Sequence, residues 1–209
     1  MLKRINMIRN AVKPLGAILL ALLMTLSSPV AAQDLQKGSA AYNAGDYATA
    51  LQEWKPLAEA GEAFVQSFVG TLYENGQGVL QDYAEAVKWY RLAAEQGYAR
   101  AQYNLGNMYD EGQGVPQDYA EAVKWYRLAA DQGYDTAQSS LGIMYQYGQG
   151  VLQDNVMAHM WYNTASANGY DKAGEWRDEI GEKMTPADIS KAQAMARECM
   201  SSGYTKCGG

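Results

Sequence analysis

Apolar, small and polar positions return in the same order every 36 residues between Ala63 and Tyr170. Residues 63–98 and 99–134 agree at 25 of 36 positions, and 99–134 and 135–170 agree at 18. The fourteen letters QDYAEAVKWYRLAA stand unchanged at 81–94 and 117–130. Such self-similarity marks a repeat array, in which each unit is one supersecondary element stacked on its neighbours. Each period holds two helical patterns. The first places Leu105, Met108 and Tyr109 at helical spacing, with Gly106 between them leaving room for another helix. Gly112 and Gly114 break it. Asp118 is placed to cap the second helix, which carries Ala122, Trp125, Tyr126, Ala129 and Ala130 on one stripe and ends at Gly133. Large rings beside small residues predict ring-into-gap packing between the two helices. Glu121 and Lys124, three apart, lie on the opposite, solvated side.

The edges depart from the period, as an array requires. Residues 34–61 predict a shorter helix pair turning at 44–46, with Trp54 and Leu57 on its apolar face. Residues 171–183 begin like a fourth first helix, with Ala173 in register with Ala137. Then the pattern lapses. Thr185-Pro186-Ala187-Asp188 starts one more helix: Thr as N-cap, Pro at the first helical position, an acid at the third. Its apolar face, Ile189, Ala192, Ala196 and Cys199, suits it to cover the end of the stack. In the third unit Met157 and Met160 replace Glu121 and Lys124. Two readings follow: the terminal helix covers them, or they form an exposed patch for a partner.

Residues 1–32 stand outside the period. Lys3, Arg4, Arg9 and Lys13 precede an apolar run from Leu15 to Leu26, and Val30-Ala31-Ala32 supplies small side chains before Gln33. That order predicts a signal peptide cleaved after Ala32 and export to the periplasm or beyond. The run is shorter than the roughly 20 residues of a comfortable bilayer span. The remainder, 33–209, holds 13 basic and 23 acidic side chains, a balance of −10. Such a balance argues against nucleic acid or anionic lipid as partner, and no membrane span is expected after cleavage. The two cysteines, Cys199 and Cys207, are expected to form a disulfide in an exported chain. Free thiols, or pairing with another protein, are the alternatives.

No catalytic constellation emerges. His159 is the single histidine and occupies the slot of Val87 and Val123, so it reads as a packed helix residue. Neither a metal site nor a cofactor is expected. The GQG turns at 76–78, 112–114 and 148–150 lack the lysine and the strand-to-helix setting of a phosphate loop. Most aromatic residues fall in repeat slots. Phe64, Phe68, Tyr103, Tyr147 and Trp176 do not, and are candidates for recognition.

The recurring letters A-x-x-x-L-G-x-x-Y-x-x-G-x-G-V-x-x-D-x-x-x-A-x-x-W-Y-x-x-A-A-x-x-G resemble the Sel-one-like repeat family, relatives of tetratricopeptide repeats. The resemblance covers three units, 63–98, 99–134 and 135–170. Residues 34–61 are similar in a looser, tetratricopeptide-like form, and 171–209 are left as a cap. The third unit departs where Asn155, Val156 and Ser166 replace Tyr119, Ala120 and Ala130. The resemblance implies an all-α, right-handed α-solenoid of antiparallel helix pairs, with no single activity and a concave surface for protein partners.

Positions that vary between units along one stripe of the first helix would line that surface. They are Phe64, Ser67, Thr71, Glu74 and Asn75 in the first unit and Arg100, Tyr103, Asn107, Asp110 and Glu111 in the second. The third contributes Thr136, Ser139, Ile143, Gln146 and Tyr147. Phe64, Arg100, Tyr103 and Tyr147 are the expected energetic anchors. The leading function is then a non-enzymatic adaptor that holds a protein or peptide. An envelope glycan- or peptidoglycan-binding protein or hydrolase, and a structural spacer in a secretion or polysaccharide machine, are the alternatives.

Overall fold

The computed structural model describes residues 29–207, and among these it has ten helices and no strand. They are α1 (Pro29–Asn43), α2 (Tyr47–Glu59), α3 (Ala63–Asn75), α4 (Tyr83–Glu95) and α5 (Ala99–Glu111), then α6 (Tyr119–Ala130), α7 (Asp135–Tyr147), α8 (Asn155–Ala167), α9 (Asp171–Gly181) and α10 (Pro186–Ser201). From α1 to α9 each helix packs on its neighbour in sequence. The architecture is an α-solenoid: α3–α4, α5–α6 and α7–α8 are the three full units. Most of the expected leader lies outside the described residues. No described helix is long and apolar enough to cross a membrane.

Capping aspartates start the second helices. The Asp118 carboxylate accepts from the Glu121 amide at 3.0 Å, and Asp82 repeats the contact with Glu85. Each first helix ends in a left-handed glycine; Gly112 has φ 69°, a conformation that costs a side chain dearly.

Between the two helices of a unit, a tyrosine ring lies flat on a glycine. A Cβ on Gly106 would fall 2.6 Å from the Tyr126 ring, and the pairs Gly70–Tyr90 and Gly142–Tyr162 are built alike. The missing side chain lets the ring sit at the helix backbone, which is why all three tyrosines are essentially inaccessible. Between units, buried amides form a ladder. Gln102 donates to the Ala94 carbonyl at 3.1 Å and accepts from Gln132 at 2.7 Å; Gln66 with Gln96, and Gln138 with Asn168, do the same. Carbonyls left over at the end of one helix are thereby satisfied by the next unit. The core is thus a series of small apolar clusters running along the array.

The C-terminus breaks the series. Thr185 caps α10, accepting from the Asp188 amide. Instead of completing a fourth pair on α9, this helix docks on α8. Ala192, Ala196 and Cys199 meet Met157 and Met160, which are 8% and 0% exposed. Of the two readings of these methionines, the structure shows the covered one.

Candidate functional site

The first-helix stripe divides into residues that face outward and residues already engaged. Ser67 and Ser139 were expected among the outward ones, but both are buried and present nothing to a partner. In their slot, four residues after the helix start, a serine is too short to reach the surface, whereas Tyr103 in the same slot of the second unit extends out to it. The next positions along the stripe hold the tyrosine hydroxyls of the second helices. Tyr126 donates to Asn107 at 2.8 Å and to Asp110 at 3.1 Å. Tyr90 bonds Thr71 and Glu74, and Tyr162 donates to Gln146 at 2.6 Å. Burial, reinforced at Tyr90 and Tyr126 by the adjacent acid, pushes these phenols above their usual range. They therefore remain donors. Burial also raises the Asp110 carboxyl, and its bond from Tyr126 opposes the shift. Ile143, aligned with Asn107, brings no polar atom and packs against the cluster that holds Tyr162 and Ile180.

What faces outward is a belt of rings near the starts of the first helices. Phe64, 44% exposed, stacks on Phe68 at 4.8 Å and meets Tyr98 edge-on at 6.2 Å. The Arg100 guanidinium lies over Phe68, 4.7 Å from the ring centre. Tyr103 stacks on Tyr134 at 5.4 Å, and Tyr170 meets Trp176 at 6.0 Å. Tyr98, Tyr134 and Tyr170 each occupy the N-cap position of a first helix and are half-buried. They belong to this surface although they hold a repeat slot. The signal that could have found them is the Gly-Tyr pair closing every period, since a residue at a cap leaves the stack partly free. Of the expected anchors, Phe64, Arg100 and Tyr103 come together. Tyr147, 66% exposed, stands at the far end of its helix with Glu111 and Asn75 exposed at the matching ends. Eleven residues of helix separate the two groups, about 16 Å of rise.

Away from the stripe, His159 is 3% exposed, faces Gly181, and its Nδ1 has no partner among the described residues. Burial and then the nearby Arg177 lower its pKa, with Asp178 opposing. It is a neutral packing residue. Among the described residues no group of three or more His, Cys, Asp or Glu side chains is placed to hold a metal.

Cys199 and Cys207 are joined in a disulfide that closes the tail after α10. Tyr204 and Cys207 then reach back to α6 and α8. The Arg127 guanidinium donates to the Cys207 carbonyl at 2.6 Å and to the Tyr145 hydroxyl at 2.9 Å, and lies 4.8 Å over Trp161. The Tyr204 hydroxyl donates to Asn168 at 2.7 Å.

The family model described as Sel1 repeat matches residues 63–98, 99–134 and 136–170, more than half of the chain. Among solved structures, a Sel1 repeat protein from Oxalobacter formigenes is 28% identical with a TM-score of 0.68; the match covers 81% of this chain and 74% of that one. A protective antigen present in uropathogenic Escherichia coli strains, displaying an SLR fold, is 29% identical with a TM-score of 0.58. That match covers 76% of this chain and 43% of the antigen, so the alignment spans less than half of its length. No curated protein matches.

Proposed function

Because this chain belongs to the Sel1 repeat family, we propose that it is a non-enzymatic adaptor, exported to the cell envelope, that holds a peptide or helix of a protein partner along the first-helix stripe. A Sel1 array is a helical repeat scaffold of a kind that mediates protein–protein contacts, and the finer assignment rests on the ring belt. Phe64, Phe68, Tyr98, Arg100, Tyr103 and Tyr134 offer a row of aromatic faces with one guanidinium. Rings concentrate binding energy because they bury large area at low entropic cost, and arginine because its planar guanidinium both stacks and donates several hydrogen bonds. Further along the same helices Glu74 and Asp110, which receive the Tyr90 and Tyr126 hydroxyls, favour a segment with some positive charge. In the similar tetratricopeptide units this side of the array is concave, which suits an extended chain. Export is supported by the leader-like order of residues 1–32 and by the disulfide, which persists in oxidising compartments.

The test is crosslinking in intact cells followed by affinity capture, with wild type and with the variant Phe64→Ala, Arg100→Ala, Tyr103→Ala, Tyr147→Ala. The wild type should recover one protein partner. The variant, with unchanged helicity, should bind that partner at least about tenfold more weakly, the loss of one strong anchor or more. Retention of the partner at wild-type affinity removes the stripe from the function. Recovery of murein or sugar alone would replace the adaptor by a glycan-binding protein.

A further inference from the structure

The groove that receives the chain's own tail is repeated one unit earlier, where no described residue fills it. In the filled groove, between α6 and α8, Arg127 donates to a tail carbonyl. The Tyr204 ring lies on Gly133, where a Cβ would stand 3.0 Å from it, and its hydroxyl meets Asn168. Trp161, at the floor, is fully buried.

Moving back 36 residues gives the same parts between α4 and α6. Arg91 stands for Arg127 and donates to the Tyr109 hydroxyl at 2.7 Å, as Arg127 does to Tyr145. Gln132 stands for Asn168, and each donates its amide to the buried glutamine of the ladder. Gly97 stands for Gly133, but a Cβ there would meet nothing within 4 Å. Trp125 stands for Trp161 and is only half-buried. The second Arg91 nitrogen and the Gln132 carbonyl, which in the filled groove engage Cys207 and Tyr204, have no partner among the described residues.

We infer that the α4–α6 groove is a second docking site, on the face opposite in role to the first-helix stripe, for a tight turn of a partner protein that carries a tyrosine. The tail shows what such a groove accepts: a tyrosine ring over the helix-end glycine, its hydroxyl on the side-chain amide, and a backbone carbonyl three residues later on the arginine. A flanking apolar helix like α10 is not part of the ligand here. Its seat on α8 is Met157 and Met160, whereas α6 has the ion pair of Glu121 and Lys124.

The probe is the disulfide-closed peptide of residues 199–207, sequence CMSSGYTKC with blocked ends, titrated into the full chain by fluorescence anisotropy. One peptide should bind per chain, shifting the amide of Gly97 and the indole of Trp125 in NMR spectra. Arg91→Ala, and separately Tyr→Ala in the peptide, should each weaken binding by at least about tenfold, the loss of one charged hydrogen bond or one buried ring. Arg91→Lys should recover only part, because it lacks the planar fork. Absence of saturable binding overturns the proposal. So does binding that survives Arg91→Ala but falls with Arg127→Ala, which would mean exchange with the chain's own tail. If the full chain self-associates and Arg91→Ala abolishes this, the occupant is a second copy and the partner-protein assignment is wrong.

Discussion

The second helices α6 and α8 place the same residues inward and opposite chemistry outward. Tyr126 and Tyr162 lie on their glycines, and Ala122 and Ala158 are fully buried. Outside, α6 shows Lys124 bonded to Glu121 at 2.6 Å and Leu128 at 47% exposure. At the matching positions α8 has Met160, Met157 and Thr164, all buried. Three substitutions on one face therefore change an interior unit into one that accepts a terminal helix. The end of the array is written on the unit it covers as well as on the cover. This is the requirement of a stack whose last apolar face must not be left in water.

The strongest way to break the contrast is to give α8 the charges of α6. Met157→Glu with Met160→Lys should cost about 3–5 kcal/mol, or release α10, whichever is cheaper, since it places charge in an apolar seat. Denaturant unfolding and limited proteolysis after Met184 would report this. The reverse exchange, Glu121→Met with Lys124→Met, should change stability by less than about 0.5 kcal/mol, because an exposed ion pair contributes little. If the α8 variant unfolds with the wild type and its tail stays protected, α10 is not held by the methionines.

The tail tie sharpens the same contrast at a smaller scale. Only the covered unit has a disulfide-closed strap. Replacing Cys199 and Cys207 by Ser should cost about 2–3 kcal/mol for a loop of this size in the chain-entropy account. Thermal melting should fall by about 5–10 °C, and Met160 should oxidise faster than in the intact chain. A variant with unchanged melting would show that Arg127 and Asn168 hold the tail unaided.

The helix pairs, their caps and the ring-on-glycine contacts were legible because each follows from spacing within one period. Asp118, Thr185 and Gly106 all stand where local chemistry requires them. The stripe was less legible for a physical reason. Thr71, Asn107, Glu74, Asp110 and Gln146 differ as letters, so they read as free to vary. Yet each offers an oxygen, and an invariant tyrosine hydroxyl accepts any of them as partner. Variation in residue type concealed sameness of role. Tyr98, Tyr134 and Tyr170 show the opposite case: they recur in every unit and are not among the recognition candidates, yet a cap position leaves each ring only half-buried. The contact of Arg127 with Cys207 spans 80 residues and joins a periodic helix to a non-periodic tail, so no spacing rule points to it.

The smallest expected effect lies in one further difference between the units: His159 in α8 stands where α6 has Val123. The folded chain keeps His159 neutral, because burial lowers its pKa below the usual value of 6.5 and Arg177 adds to this, while Asp178 opposes. Above about pH 7.5 the imidazole is neutral whether the chain is folded or unfolded, so it contributes no pH dependence. As pH falls below about 6.5 the unfolded chain takes up a proton that the folded chain resists, and stability declines. The direction follows from the depressed pKa; a raised one would stabilise the fold on acidification. His159→Val makes the third unit like the second at this site. Its stability should run parallel to wild type from about pH 9 to 7.5, offset only by the packing change, and fall less steeply toward about pH 5. Urea midpoints across that range measure it. Parallel curves down to the acid end would mean that the imidazole takes up its proton inside the fold as easily as outside it, with Asp178 fully offsetting burial and Arg177.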